Sequence, residues 1–120
     1  MVKNVDLSGI KKGDLIRVNW FDASRGQALT IRGRLDIPVF SWGIYLGVLG
    51  QKRRHIVLAQ NSFKLNNEFY DVDYTCIPVS FLDGVTVIHK AELPSEVAEL
   101  LLLSFTSGRR RIIKERTVNA

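Results

Sequence analysis

Lys52-Arg53-Arg54-His55 is the first run whose residue types point to chemistry. Long cationic side chains on an exposed turn can supply phosphate contacts, which are indifferent to base sequence and weaken with salt. The same turn also reads as a solvated hairpin whose cations pair with Asp71 and Asp73 on the neighbouring strand. A second cationic run, Arg109-Arg110-Arg111 with Lys114 and Arg116, offers the same electrostatic grip or a solvated helix face. On a helix, Arg110, Lys114 and Thr117 share one side and Arg109 and Arg116 another, so no single stripe forms. Aromatic rings beside arginine can stack on unpaired bases. Trp20 and Trp42 are in phase with the apolar positions of their strands, which predicts burial. Phe21 and Tyr45 fall on the other face and are the stacking candidates. Tyr45 equally suits the end of the fold beneath a C-terminal helix.

Other chemistry finds less support. Asp71 and Asp73, with Glu68 nearby, share a strand face, but no further ligands are spaced to complete a cation shell. His55 and His89 lack the Cys or carboxylate pattern of a triad or a metal site. Cys76 lies mid-strand among apolar neighbours, as an inert core thiol does. Gly43, Gly47 and Gly50 lie in or beside a strand and precede no helix, so they form no phosphate-cradling loop. The expectation is a non-enzymatic chain with no metal, no cofactor and no small-molecule substrate.

A chain of 120 residues has the size of one domain. With 46% hydrophobic and 24% charged residues it has the balance of a globular protein. Its single cysteine excludes an internal disulfide. The polar opening residues do not resemble a secretory leader, and Leu100 to Leu103 is too short to span a bilayer. These features predict a cytoplasmic protein without a membrane partner. The net charge is +5. Residues 105–120 hold five basic groups and one acidic group, so the excess lies in the tail and the body is nearly neutral. Such a basic block suits phosphate, an acidic protein or a membrane surface.

The elements that must position these residues follow from periodicity. Residues 1–13 read as a polar lead-in ending in a Gly13-Asp14 turn. In residues 15–21, Ile16, Val18 and Trp20 alternate with Arg17 and Asn19, the period of a half-buried strand. Residues 22–38 read as a long irregular loop with room for a short strand at 29–32. Residues 39–49 form a second strand, with Trp42, Ile44, Leu46 and Val48 in phase and glycines where it must bend. Residues 50–53 turn into a strand at 54–60, apolar on both faces. A polar loop over 61–67 precedes a fourth strand at 69–77. Pro78 then stops the ladder, residues 79–83 make one helical turn, and residues 85–89 form a fifth strand. Ser95 is the expected N-cap of a helix through Phe105 that is apolar nearly all round. Gly108 ends it, and residues 109–117 begin a second helical turn or a flexible arm. Val97, Leu100, Leu101, Leu103 and Phe105 are the expected surface for a second copy of the chain, making a homo-oligomer.

Gly13-Asp14-Leu15-Ile16-Arg17-Val18 resembles the opening strand of Sm-like and SH3-like barrels. Ile77-Pro78 followed by Phe81, Gly84 and Val85 resembles their tight turn into the last strand. The stretch 13–88 is also similar to short, uncharacterised barrel proteins of phages, plasmids and archaea. That similarity lies in Val18-Asn19-Trp20-Phe21-Asp22-Ala23-Ser24, Trp42-Gly43-Ile44-Tyr45-Leu46-Gly47, Ile56-Val57-Leu58-Ala59-Gln60 and Ile77-Pro78. The resemblance implies a five-stranded SH3-like small barrel over 14–90; with the C-terminal α-helix and basic tail read from the residues over 94–120, the expected fold is mainly β. It implies no activity. The last strand reads Thr86-Val87-Ile88-His89-Lys90, without the Arg-Gly pair that Sm proteins carry there; Arg32-Gly33 sits in the long loop instead. The resemblance therefore stops short of a uridine-type RNA pocket and ring assembly. The leading expectation is a binding module that contacts RNA or DNA through Lys52, Arg53, Arg54, Arg109, Arg110, Arg111 and Lys114, with Phe21 or Tyr45 stacking. The alternative is a structural subunit that oligomerises through its helix.

Overall fold

The computed structural model describes residues 5–22, 37–64 and 70–107. Strands β1 (Leu15–Asp22), β2 (Ile37–Leu49), β3 (His55–Lys64), β4 (Tyr70–Pro78) and β5 (Leu82–His89) are followed by helix α1 (Ser95–Ser107). They form one antiparallel sheet in the order β4-β3-β2-β1-β5. The fold is mainly β with a C-terminal helix, as the periodicity predicts. The short strand expected at 29–32 and the arm at 109–117 lie outside the described residues.

Apart from shifts of one or two residues at strand ends, three features differ from the sequence expectation. Residues 61–64 continue β3 instead of opening a loop. A register shift between Ala59 and Asn61 keeps the backbone paired as far as Lys64 opposite Tyr70, and ladder hydrogen bonds do not depend on side-chain polarity. The helical turn is confined to Val79–Phe81, and β5 starts at Leu82, which pairs with Trp20. Pro94, not Ser95, caps α1: its carbonyl accepts hydrogen bonds from the Val97 and Ala98 amides.

The sheet carries a separate apolar core on each face. On the first face, Ile16 and Val18 of β1, Tyr45 of β2, Ile56 and Leu58 of β3, Ile77 of β4 and Leu82 of β5 are buried together. Val5, Leu7 and Ile10 of the lead-in and the half-buried Trp20 close over them. On the second face, Leu46, Val57 and Ala59 are buried against Ala98, Leu101 and Leu102 of α1. Each such large aliphatic side chain contributes about 1.5–3 kcal/mol when fully buried. Burial on both faces explains the unbroken apolar run Ile56-Val57-Leu58-Ala59. The helix buries a stripe at i, i+3 and i+4, and Tyr74 fastens it by donating its hydroxyl to the Leu101 carbonyl at 3.0 Å. At Gly47 (φ +136°) β2 makes a bulge, and a Cβ there would lie 3.4 Å from Leu102 and 3.1 Å from Lys12. Glycine thus supplies both the backbone turn and the close approach of the helix.

Gly13 and Asp14 join three parts of the chain. The Gly13 amide donates to the Tyr45 carbonyl and the Tyr45 amide to the Asp14 carbonyl, both at 2.9 Å. The buried Asp14 carboxylate accepts the Lys11 and Ala91 amides, each at 2.9 Å. It thereby holds the β5–α1 connection, where Ala91 sits at φ 52°. Burial alone would raise the Asp14 carboxyl. The two amides and the charges of Lys90 and Lys11 outweigh it and hold the group below its ordinary 3.8. A folded value below the unfolded one gives stability that is complete above pH 3.8 and lost as pH falls through the folded value. The difference in urea midpoint between the native chain and Asp14→Asn is therefore expected to be widest at neutral pH and to narrow on acidification below that point.

Candidate functional site

Helix α1 cannot cover the whole second face of the sheet. Its 13 residues rise about 20 Å, whereas the 13 residues of β2 run about 44 Å. It packs over the Leu46 end of β2 and over β3 and β4, leaving the other half of that face, on β5, β1 and the start of β2, open to solvent.

On this open half, cross-strand register sets side chains in rows. Arg17 of β1 lies between Thr86 of β5 and Trp42 of β2. In the next row Asn19 lies between Gly84 and Phe40, and beyond it Phe21 faces Pro38. Phe40 is 55% exposed, Trp42 53% and Phe21 39%. The Arg17 guanidinium lies over the Phe40 ring, 5.8 Å from its centroid, a cation–π contact that holds the long side chain down on the face. Its Nη2 reaches the Thr86 hydroxyl at 3.4 Å. The Arg17 Nε and the Asn19 Oδ1 are shielded from solvent yet have no hydrogen-bond partner. An unsatisfied donor and acceptor of this kind cost about 1–3 kcal/mol each. Gly84 leaves open space beside Asn19, since a Cβ there would meet nothing within 4 Å. Behind Trp42, Gln60 donates to the Trp42 carbonyl at 3.1 Å and accepts from the Thr75 hydroxyl at 2.7 Å, so the backbone is braced across three strands.

The structure thus reverses two expectations about aromatics. Trp42 is exposed, not buried: it is in phase with Leu46, but the helix that covers Leu46 ends short of it. Tyr45 is not a stacking residue. It is only 8% exposed, packs in the first core and not beneath α1, and its phenol is pushed up by burial, with the Arg54 charge only partly opposing. Phe21 is exposed, as expected. Trp20 is half-buried, and its indole N–H donates to the Ser41 hydroxyl at 3.0 Å.

Lys52, Arg53 and Arg54 are exposed on the β2–β3 turn. Antiparallel register places His55 opposite Pro78, whereas Asp73 and Asp71 face Asn61 and Phe63 at the far end of β3. The expected pairing of the turn with these acids is therefore not possible, and Asp73 instead accepts from Asn61 at 3.4 Å. The turn and the aromatic face occupy opposite ends of β2, with the stretch from Trp42 to Gly50 spanning about 27 Å. Arg109, Arg110, Arg111 and Lys114 lie outside the described residues.

The helix residues expected to meet a second copy are largely used within the chain. Leu101 is buried against the sheet, so it is not a surface residue; Val97 and Leu100 are half-buried. Leu103 and Phe105 remain exposed, and Phe105 packs on Tyr74 with ring centroids 4.8 Å apart. Phe105, Leu49, His55, Val57 and Cys76 line an open apolar cavity of about 320 Å³. Cys76 is exposed there and is not a core residue as expected. Partial burial of its sulfur nonetheless pushes the thiol up, away from a reactive thiolate. Among the described residues no three His, Cys, Asp or Glu side chains are grouped to hold a metal ion, and no helix is long and apolar enough to cross a membrane.

Comparison with family models, with curated proteins and with solved structures finds no match. Function must therefore be read from the surface itself. Sequence reasoning missed Arg17, Asn19 and Phe40. A signal for them existed: Arg17 and Asn19 alternate with the β1 core residues, and Phe40 and Trp42 stand at i and i+2 before a glycine.

Proposed function

We propose that this protein is a non-enzymatic binding module that contacts nucleic acid. The observation that carries the reading is the solvent-open sheet face on which Arg17 lies over Phe40 and in register with Trp42, with Phe21 two rows further along. Flat aromatic area with a cation held beside it suits bases and phosphates together. The exposed cations Lys52, Arg53 and Arg54, and beyond them the basic residues Arg109, Arg110, Arg111 and Lys114, add a sequence-independent grip on the phosphate chain. We also infer that the sheet curls into an SH3-like small barrel. All five strands feed one core on a single face, β2 bends at the Gly47 bulge, and a single 3-10 turn joins β4 to β5.

A second reading, a self-associating structural subunit, draws on the exposed Leu103 and Phe105 beside the apolar cavity. It is the weaker, because the greater part of the helix's apolar surface is already buried within the chain.

Anisotropy of labelled oligonucleotides over a salt series tests the leading reading. Binding is expected to weaken steeply with salt. Each phosphate that a cation neutralises adds about 0.7–0.9 to the log–log salt slope. Replacing Lys52, Arg53 and Arg54 together with alanine is therefore expected to lower that slope by about 2–3. Absence of binding even at low salt removes the reading, and an unchanged slope removes the turn from it.

A further inference from the structure

We propose that the open sheet face binds single-stranded nucleic acid, with two successive unstacked bases lying on Phe40 and Trp42 and with Arg17 and Asn19 meeting their edges. This rests on the nucleic-acid reading and adds strandedness and register to it.

The spacing makes the case. Phe40 and Trp42 stand at i and i+2 on one face of β2, so their positions are about 6.8 Å apart. Bases in a duplex follow one another at about 3.4 Å along each strand, and their faces are covered by their neighbours. Neighbouring duplex bases cannot each occupy one of these rings. A single strand whose bases are splayed apart can do so, and aromatic side chains capture such bases without regard to sequence.

The polar groups fit the same ligand. Arg17 has an unpaired Nε donor and Asn19 an unpaired Oδ1 acceptor, each in a row with one of the two rings. Both atoms are out of reach of solvent, so they meet a base edge once the two side chains turn outward, and base edges present the acceptors and amino donors that they lack. Arg17 already lies over one face of Phe40, so a base at this position stacks on the guanidinium plane or on the free face of the ring. The open space over Gly84 gives a sugar–phosphate chain room to pass beside Asn19. The paired positions of the three rows carry no acid; the carboxylate beside them is Asp83, at the β5 bulge next to the Asn19 row.

The test uses the full chain with a mixed-sequence single-stranded DNA, the matching RNA and the matching DNA duplex. Each is about twelve nucleotides long, within the range of single-strand sites of roughly 4–16. Anisotropy gives affinity, and tryptophan emission reports stacking on Trp42. Single strands are expected to bind more tightly than the duplex and to quench emission. Trp42→Ala and Phe40→Ala are each expected to weaken single-strand binding by about 5- to 100-fold. Trp42→Ala also removes the quench, leaving Trp20 as the only indole, while Trp42→Phe keeps most of the affinity. Both positions are more than half exposed, so the variants should retain the native melting temperature. Comparison of the DNA and RNA strands shows whether the sugar matters. If duplex and single strand bind alike and the two alanine variants leave affinity unchanged, this inference is overturned while the nucleic-acid reading survives through the basic turn. If no oligonucleotide binds at low salt, both fall. If instead the chain self-associates and Trp42→Ala abolishes that, the face is a protein interface and the inference is wrong.

Discussion

Gly13→Ala is expected to destabilise the fold by about 2–4 kcal/mol. Gly13 has φ +102°, a conformation that costs an L-residue about 1–2 kcal/mol. Space is the second obstacle. A Cβ at this position would lie 2.2 Å from the Leu93 carbonyl oxygen and 3.2 Å from its carbon. Those are backbone atoms, and no rotamer change can move them away. Relief requires the β5–α1 connection to shift, which strains the hydrogen bonds that the Leu93 amide donates to the Gly13 carbonyl and the Ala91 amide donates to the Asp14 carboxylate. Each such bond contributes about 0.5–1.5 kcal/mol net, and more where the acceptor is charged. Urea unfolding followed by circular dichroism measures the loss. A variant within about 0.5 kcal/mol of the native chain would show that the connection is not held at Gly13. Because the clamp contributes no residue to the three rows of the aromatic face, any Gly13→Ala protein that remains folded should bind oligonucleotides as the native chain does.

Leu102→Ala is expected to cost about 2–4 kcal/mol, within the range for truncating a buried leucine. Leu102 is 7% exposed and packs with Leu46, Val57 and Ala59 beneath the helix. The loss should fall unevenly across the molecule. The helix is fixed by its apolar stripe, by Tyr74 and by the Lys12–Glu99 ion pair at 2.6 Å. That pair is solvated on both sides and adds at most about 1 kcal/mol. Once the stripe is weakened, amide exchange should accelerate in α1 well before it does in β1 and β2, whose first core is untouched. The same variant separates intrachain docking from assembly. Helix packing within one chain gives an unfolding midpoint independent of protein concentration, whereas an intersubunit interface gives one that rises with concentration. Concentration independence is the expected result.

The two cores also explain how much of the fold can be read along the chain. Strand β1 is legible because one face is apolar throughout and the middle of the other is polar: Ile16, Val18 and Trp20 alternate with Arg17 and Asn19. Strand β2 is harder to read. Its second half is covered on both faces, by the first core at Tyr45 and by the helix at Leu46, and the Gly47 bulge resets the phase between them. Alternation there identifies a strand without saying which side is wet. That is why Trp42 reads as core and Tyr45 as surface when the reverse holds. The extension of β3 through residues 61–64 is equally hidden, since backbone pairing continues past polar side chains. Helix α1 is legible in extent but not in destination, because an apolar stripe records that a surface must be buried and not against what.

The element types, the basic excess at residues 105–120, the cationic turn and the need for glycine near residues 13 and 47 can all be read along the chain. These are local properties, set by side-chain period, turn chemistry and charge. Which apolar residues stay wet is not local, because it depends on how far one packed element reaches over another. A helix rising about 20 Å cannot cover a strand running about 44 Å, and where the helix ends, Phe40 and Trp42 are left beside Arg17 on an open face.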